Sequence, residues 1–178
     1  MRVVSAHWSA DRLTVRLQVD HGTDATSAWQ LRFTRVIEHL FADVYDCGLN
    51  IWYRDHPAID QYLQSRAFLH FAAAPTDPDH VVGRLWAKHV QLVDDWIPFE
   101  RYINQELRLP TLLASGSGLV ATGPLFIIEA YAEILESEYC EPTIKELPSA
   151  RAASASLTHF GESYVIAEGV TARRLPAA

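Results

Sequence analysis

The sequence predicts an α+β fold in which an antiparallel sheet of about five strands, formed by the N-terminal half, carries two long helices on one face. Two observations lead to this prediction. Five strand-like segments precede the first long helical segment, so strands and helices do not alternate as they do in doubly wound α/β proteins. The chain of 178 residues is also long enough for one hydrophobic core and short for two.

The predicted strands carry apolar side chains at every second position, as expected when one face of a sheet is buried. Residues 2–20 are predicted to form a hairpin. A second alternating run covers residues 29–33 and breaks near Thr34-Arg35, which indicates a bulge or burial of both faces. Shorter strands are predicted at residues 48–54 and 66–71.

The first long helix is predicted from its cap. Asp77 can accept hydrogen bonds from the free N–H groups of the first turn, and Pro78 suits the first helical position, which needs no donor. Ile97-Pro98 ends the helix, because a residue before proline is pushed out of the α region. At about 100° per residue, the apolar side of this helix consists of Val82, Leu85, Trp86, His89, Leu92, Val93 and Trp96.

A second long helix is predicted over roughly residues 124–139, after a glycine-rich loop at residues 115–118. Three glutamates share one side of it, with no lysine or arginine within one turn to pair with them. The apolar side consists of Ile127, Ile128, Tyr131, Ile134 and Leu135, and the acidic side of Glu129, Glu133 and Glu136.

The order of these segments predicts a single α+β domain over residues 1–147. Residues 148–158 are mostly small and polar, as is typical of a flexible linker. Residues 159–178 alternate weakly and are predicted to form an edge hairpin with a turn at Glu168-Gly169, or a tail that reaches a neighbouring subunit.

The composition argues against several classes of partner. The formal charge of −7 repels polyanions on average, so we expect no binding to nucleic acid or to an anionic membrane. Along the sequence, the only dense basic group is Arg173-Arg174. No apolar run reaches the roughly 18 residues of a membrane-spanning helix. Two cysteines without a C-x-x-C motif suit a reducing compartment, and we expect a cytoplasmic protein.

The motifs predict no metal, no cofactor and no catalytic residue. His80 and His89 face opposite sides of one helix, so they cannot share an ion. The loop around Ser117 lacks the G-x-S-x-G pattern of a nucleophile elbow. The glycines of this region also lack the spacing of a dinucleotide-binding or phosphate-binding loop.

His89 is the polar residue that the pattern singles out, because it lies in the middle of an apolar helical stripe. A buried imidazole needs hydrogen-bond partners. It is therefore either a core histidine bonded to a backbone carbonyl, or a ligand or general base that lines a pocket. The second interpretation predicts a ligand-binding site formed by His89, Trp52, Trp96 and Arg101.

Aromatic residues and glutamates provide a second candidate surface. Phe99 and Tyr102 belong to an aromatic-rich segment after the first helix, which is typical either of core or of a contact with a partner. Glu129, Glu133 and Glu136 are either a solvated helix face or, together with these aromatic residues, a surface for a basic protein partner.

The first functional hypothesis is a cytosolic protein-interaction or binding module that holds a protein partner or self-associates, for example as a homodimer. The alternative hypothesis is a small enzyme or small-molecule-binding protein with a pocket around His89 and Trp96.

Overall fold

The secondary structure follows the alternation and the helix caps of the sequence in most segments. The computed structural model describes residues 2–10, 12–20, 26–42, 48–53, 55–148 and 154–176. Short 3-10 turns at Asp94–Trp96 and Phe99–Arg101 follow the longest helix. In chain order, the elements are β1 (Arg2–Ser9), β2 (Arg12–Asp20), β3 (Thr26–Leu40), β4 (Asn50–Trp52), α1 (Pro57–Leu63), β5 (Arg66–Phe71), α2 (Pro78–Val93), α3 (Leu109–Ala114), β6 (Gly118–Pro124), α4 (Leu125–Ser137), β7 (Thr143–Leu147), β8 (Ser156–Phe160) and β9 (Ser163–Arg174).

The chain forms two compact units. The first, which we name the β-sheet unit, consists of Met1–Ile59 and Ala152–Ala178. The second, which we name the helical unit, consists of Asp60–Arg151. The domain boundaries predicted at residues 147 and 158 remain predictions. Residues 149–153 of the predicted linker lie outside the described part of the chain.

The β-sheet unit contains a six-stranded antiparallel sheet with the order β1-β2-β3-β9-β8-β4. The irregularity predicted in β3 is present, because Arg35 has a positive φ of 50° and the register with β9 shifts between Val36 and Glu38. The alternating apolar residues of β2 and β3 pair across the strands as Leu13 with Phe33, Val15 with Leu31 and Leu17 with Trp29.

The C-terminal strands β8 and β9 lie inside this sheet, between β3 and β4. Their connecting turn is at Gly161-Glu162, and the turn predicted at Glu168-Gly169 is wrong. Gly169 lies within β9, where an added Cβ would approach the Thr34 hydroxyl oxygen to 2.7 Å. This glycine therefore permits close contact between strands.

The helical unit contains a three-stranded antiparallel sheet with the order β6-β5-β7. Helix α4 packs against all three strands, and α2 packs against α3 and α4. The two long helices therefore occupy successive layers. Their common core with the sheet includes Leu69, Leu85, Leu113, Ile127 and Leu135, all fully buried.

The prediction of an α+β protein with an antiparallel sheet is confirmed, whereas the predicted distribution of strands and helices is wrong. Strand β5 does not join the four strands before it and pairs with β6 and β7. These partners come much later in the chain, and a local pattern carries no information about such distant pairing. The second helix also starts at Leu125, because the preceding residues form β6.

Helix α2 begins as predicted. The Asp77 carboxylate accepts a hydrogen bond from the His80 N–H at 3.1 Å, and Pro78 is the first helical residue. The residues that this helix buries are Val81, Leu85, His89 and Val93.

Two tryptophans of the predicted apolar stripe are not buried. Trp86 is 56% exposed, because it lies about 100° from Leu85 at the margin of the stripe. Trp96 is 37% exposed. The α-helix ends at Val93, and Asp94 has a positive φ of 51°, so the helical period does not extend to Trp96.

Replacement of Gly123 by alanine tests the packing between β6 and the segment that covers it. An added Cβ would lie 3.0 Å from the Tyr102 ring. We expect the free energy of unfolding to fall by about 1–3 kcal/mol, the usual cost of overpacking. Urea denaturation followed by far-UV circular dichroism measures this change, because the helical unit contains both long helices.

The matched control is Gly83→Ala on α2, where an added Cβ meets nothing within 4 Å. This variant should be more stable than the original chain by about 0.5–1 kcal/mol, because alanine favours the helix. Equal effects of the two substitutions would contradict the packing argument.

Candidate functional site

His89 lies at the centre of the helical unit and is 1% exposed. Its Nε2 is 2.6 Å from the Ile97 carbonyl oxygen, and its Nδ1 is 2.7 Å from the Tyr131 hydroxyl. Because a carbonyl oxygen can only accept, Nε2 carries the proton, and Nδ1 accepts from Tyr131. Both ring nitrogens are therefore used by neighbours in the core.

Burial fixes the protonation states of this pair. It lowers the pKa of His89, against smaller upward effects of the Ile97 carbonyl and Glu100. Burial also raises the pKa of Tyr131, so its hydroxyl remains a donor. The imidazole is thus neutral at pH 7 and connects α2, the segment after it and α4.

Phe99 and Tyr102 pack around this histidine. Their ring centroids lie 5.5 Å and 6.3 Å from that of His89, and Phe99 also contacts Tyr131 at 6.1 Å. Tyr102 is 3% exposed and donates its hydroxyl hydrogen to Gln61 Oε1 at 2.7 Å. The structure therefore places Tyr102 in the core and Phe99 half-buried beside it, and their predicted contact with a partner remains a prediction.

The segment after the 3-10 turns lies along the outer edge of β6. The Thr122 N–H donates to the Tyr102 carbonyl, and the Asn104 N–H donates to the Val120 carbonyl, both at 2.8 Å. Ile103 forms a β-bridge with Ala121. One edge of the three-stranded sheet is thereby covered by the chain itself.

The four predicted ligand-binding residues have different surroundings. Trp52 belongs to the β-sheet unit, where its ring lies 5.1 Å from His56 and 6.0 Å from His159. In the helical unit, His89 is enclosed while Trp96 and Arg101 lie at the surface. Arg101 donates to the Tyr62 hydroxyl at 3.1 Å. A ligand site that uses these residues remains a prediction.

The three glutamates of α4 are all exposed, as the helical period predicts. Glu129, Glu133 and Glu136 lie on the face opposite the buried residues of this helix. Among them, Glu136 also contributes to a groove at the C-terminal end of the helix.

This groove lies between the end of α4 and β7 and has a volume of about 540 Å³. It combines two carboxylates with the apolar side chains of an exposed tyrosine and a partly exposed isoleucine. Beside it, Thr143 to Glu146 of β7 are exposed, and β7 is the terminal strand of its sheet. The lining residues are Ala132, Glu136, Tyr139, Glu141, Pro142 and Ile144.

Two lining residues have unusual backbone conformations. Tyr139 has a φ of 58° and Glu141 a φ of 48°, in the left-handed region that favours glycine. Tyr139 follows the end of α4, where the N–H of Cys140 donates to the Leu135 carbonyl at 2.9 Å. A glycine is usual at this position of a helix end, so the tyrosine side chain is retained at a conformational cost.

An ion pair near the groove does not involve the two carboxylates of the groove. Arg84 on α2 donates to Ser137 Oγ at 2.9 Å and forms an ion pair with Glu138. Within the part of the chain that the structure describes, no ion pair involves Glu136 or Glu141. The groove therefore presents two carboxylates beside apolar surface.

The sequence pattern identified Glu136 but missed Tyr139, Glu141 and Ile144. Left-handed backbone at residues other than glycine has no reliable sequence signal. In the described ranges, no group of three or more His, Cys, Asp or Glu residues could hold a metal ion. Over the same residues, no helix is both long and apolar enough to cross a lipid bilayer.

Replacement of His89 by glutamine tests whether the buried imidazole is neutral in the folded protein. Because the pKa of His89 is below its ordinary 6.5 in the folded state, the unfolded chain binds a proton more readily. The original chain should therefore lose stability as the pH falls below about 6.5, and the stability should be complete above that pH. His89→Gln should show a smaller loss over this range when unfolding is measured by urea titration at several pH values.

Some acid sensitivity should remain in this variant, because burial and His159 also lower the pKa of His56. An unchanged pH dependence in His89→Gln would contradict the assignment of a neutral buried imidazole. His56→Gln is the matched control, and its effect should be independent of the first.

Comparisons with models of protein families, with curated proteins and with solved structures found no match to this chain.

Proposed function

We propose that this chain is a cytosolic protein-interaction module whose helical unit binds an extended, basic segment of a partner protein. One observation carries the proposal. The groove that contains Glu136, Glu141 and Tyr139 lies directly beside the exposed terminal strand β7. A peptide placed there would find both backbone and side-chain partners.

The backbone partners come from β7. A terminal strand offers unpaired N–H and C=O groups along its outer side, and an extended peptide can add to it as a further strand. The opposite edge of the sheet is covered by residues 102–104 of the chain itself. The arrangement thus favours addition at β7.

The side-chain partners favour lysine or arginine. The aliphatic part of such a side chain can lie on Ile144, which is 37% exposed, and its charge can reach Glu136 and Glu141. The ring of Tyr139, which is 87% exposed, offers a face to the same cation. The apolar contact and the charges of the groove thus both favour lysine or arginine in the partner segment.

The surrounding charge would attract such a segment. Residues 129–146 contain six acidic residues and a single basic one, Lys145. A local field of this sign raises the rate of association with a cationic partner and lowers it for an anionic one. It also disfavours pairing of β7 with β7 of a second copy.

The alternative of an enzyme or small-molecule-binding protein has less support. Both nitrogens of His89 already have partners in the core. The thiol of Cys140 is buried, which raises its pKa and disfavours the reactive thiolate. The groove is instead open and lies at a strand edge, which suits a peptide.

Substitution of both groove carboxylates tests the proposal. A fluorescent peptide with alternating lysine and valine residues should bind the original chain, with affinity that falls as salt rises. In Glu136→Gln/Glu141→Gln the affinity should fall about tenfold, because two partly exposed charge pairs are lost. Fluorescence anisotropy measures the dissociation constant.

Glu162→Gln is the matched control, because Glu162 is an exposed carboxylate in the turn between β8 and β9. It should leave the dissociation constant unchanged. Equal affinities of the original chain and the double variant, or failure of any basic peptide to bind, would refute the proposal.

Replacement of Tyr139 by glycine separates stability from binding. Glycine accepts the positive φ of this position without strain, so the free energy of unfolding should rise by about 1 kcal/mol. The same variant should bind the basic peptide more weakly, because it lacks the exposed ring. Thermal unfolding and anisotropy on one preparation give both values, and a variant that keeps full affinity would exclude Tyr139 from the site.

A further inference from the structure

The outer face of the β-sheet unit carries arginines from three neighbouring strands. Arg12 and Arg16 lie on β2, Arg32 on β3 and Arg173 on β9, and all four are exposed. We name these four residues the arginine face. On β2 and β3 the arginines alternate with buried apolar residues. Arg173 pairs with Gln30, the same residue that pairs with Arg16, so all four side chains share the outward side.

The strand registers place these arginines next to one another. Arg16 pairs with Gln30, which pairs with Arg173 on the next strand. In the adjacent row, Arg32 lies between Thr14 and Thr171. Strands about 4.8 Å apart put Arg16 and Arg173 about 10 Å from each other, and Arg32 is a diagonal neighbour of both at about 7–8 Å.

The residues among these arginines are neutral and polar. No carboxylate occupies the outward positions of this region, which covers Arg12 to Gln18 on β2, Gln30 to Thr34 on β3 and Gly169 to Arg173 on β9. They also include no aromatic residue and no large apolar residue. The face thus combines fixed positive charge with hydrogen-bonding groups and lacks an apolar centre.

The negative charge of the chain lies mostly elsewhere. The helical unit, residues 60–151, has thirteen acidic and seven basic residues, so it holds −6 of the formal charge of −7. The β-sheet unit has a formal charge of −1, and all eight of its cations are arginines. Repulsion of polyanions by the average charge therefore does not apply to the arginine face.

We propose that the arginine face binds the phosphate backbone of a nucleic acid duplex without reading its sequence. Guanidinium groups form paired hydrogen bonds with phosphate oxygens, and the glutamines and threonines add neutral donors. A protein partner would require an apolar centre, which this face lacks. A single strand would require aromatic residues for base stacking, which are also lacking.

Binding of a labelled DNA duplex of mixed sequence, measured by fluorescence anisotropy, tests this proposal. Four phosphate contacts predict a slope of about −3.6 for the logarithm of the association constant against that of salt concentration. Affinity should then fall about a hundredfold between about 50 mM and 200 mM salt. In Arg16→Gln/Arg32→Gln the slope should fall to about −1.8.

Arg108→Gln is the matched control, because Arg108 is an exposed arginine of the helical unit. It should leave both affinity and slope unchanged. Arg12→Gln/Arg173→Gln is a second test pair and should repeat the effect of the first, with thermal unfolding used to show that each variant is folded.

Three results would overturn the proposal. The duplex does not bind at low salt, the slope is the same in the arginine variants, or polyglutamate binds as tightly as the duplex, which would assign the face to an acidic protein. The Glu136→Gln/Glu141→Gln variant should bind the duplex like the original chain. This outcome would show that duplex binding does not use the peptide site.

Discussion

The arrangement of the helical unit depends on one neutral histidine that is bonded on both sides. His89 donates to the Ile97 carbonyl and accepts from Tyr131, so one ring fixes the chain after α2 against α4. With Ile97 held, the following residues reach β6, where Tyr102 packs on Gly123 and bonds to Gln61. Loss of a partner in such a buried pair costs about 1–3 kcal/mol, because the remaining polar group stays in the core without a hydrogen bond.

This constraint also makes the two edges of the small sheet different. On one side, the held segment covers β6 through residues 102–104. On the other, β7 is terminal, and four of its five residues are exposed. An exposed edge invites association with other strands, and proteins commonly protect it with charge. Under the proposed function, the carboxylates beside β7 would repel a second acidic copy and attract a cationic segment, so one charge pattern would serve for both exclusion and recognition.

The sequence predicts those structural features that depend on residues close together in the chain. The Asp77 cap, the position of His89 in the apolar stripe and the exposed glutamates of α4 follow from the helical period over a few residues. The second sheet does not, because β5 pairs with strands that come much later in the chain. The groove was missed for another reason, since Tyr139 and Glu141 adopt left-handed backbone that favours glycine. Because neither residue is a glycine, the sequence contains no turn signal at these two positions.

The arginine face shows why an average charge is a poor guide to partners when strands come from distant parts of the chain. Arg16, Arg32 and Arg173 are isolated in the sequence, or belong to a pair, and only the registers of β2, β3 and β9 make them neighbours. Carboxylates are instead concentrated by the short period of α4 and the residues after it. Because charges interact mainly within a Debye length of about 8–10 Å, a ligand responds to the local array and not to the sum over the chain. The arginine face and the acidic groove beside β7 therefore present opposite local charges, the first formed by strand registers and the second mainly by a helix and the residues after it.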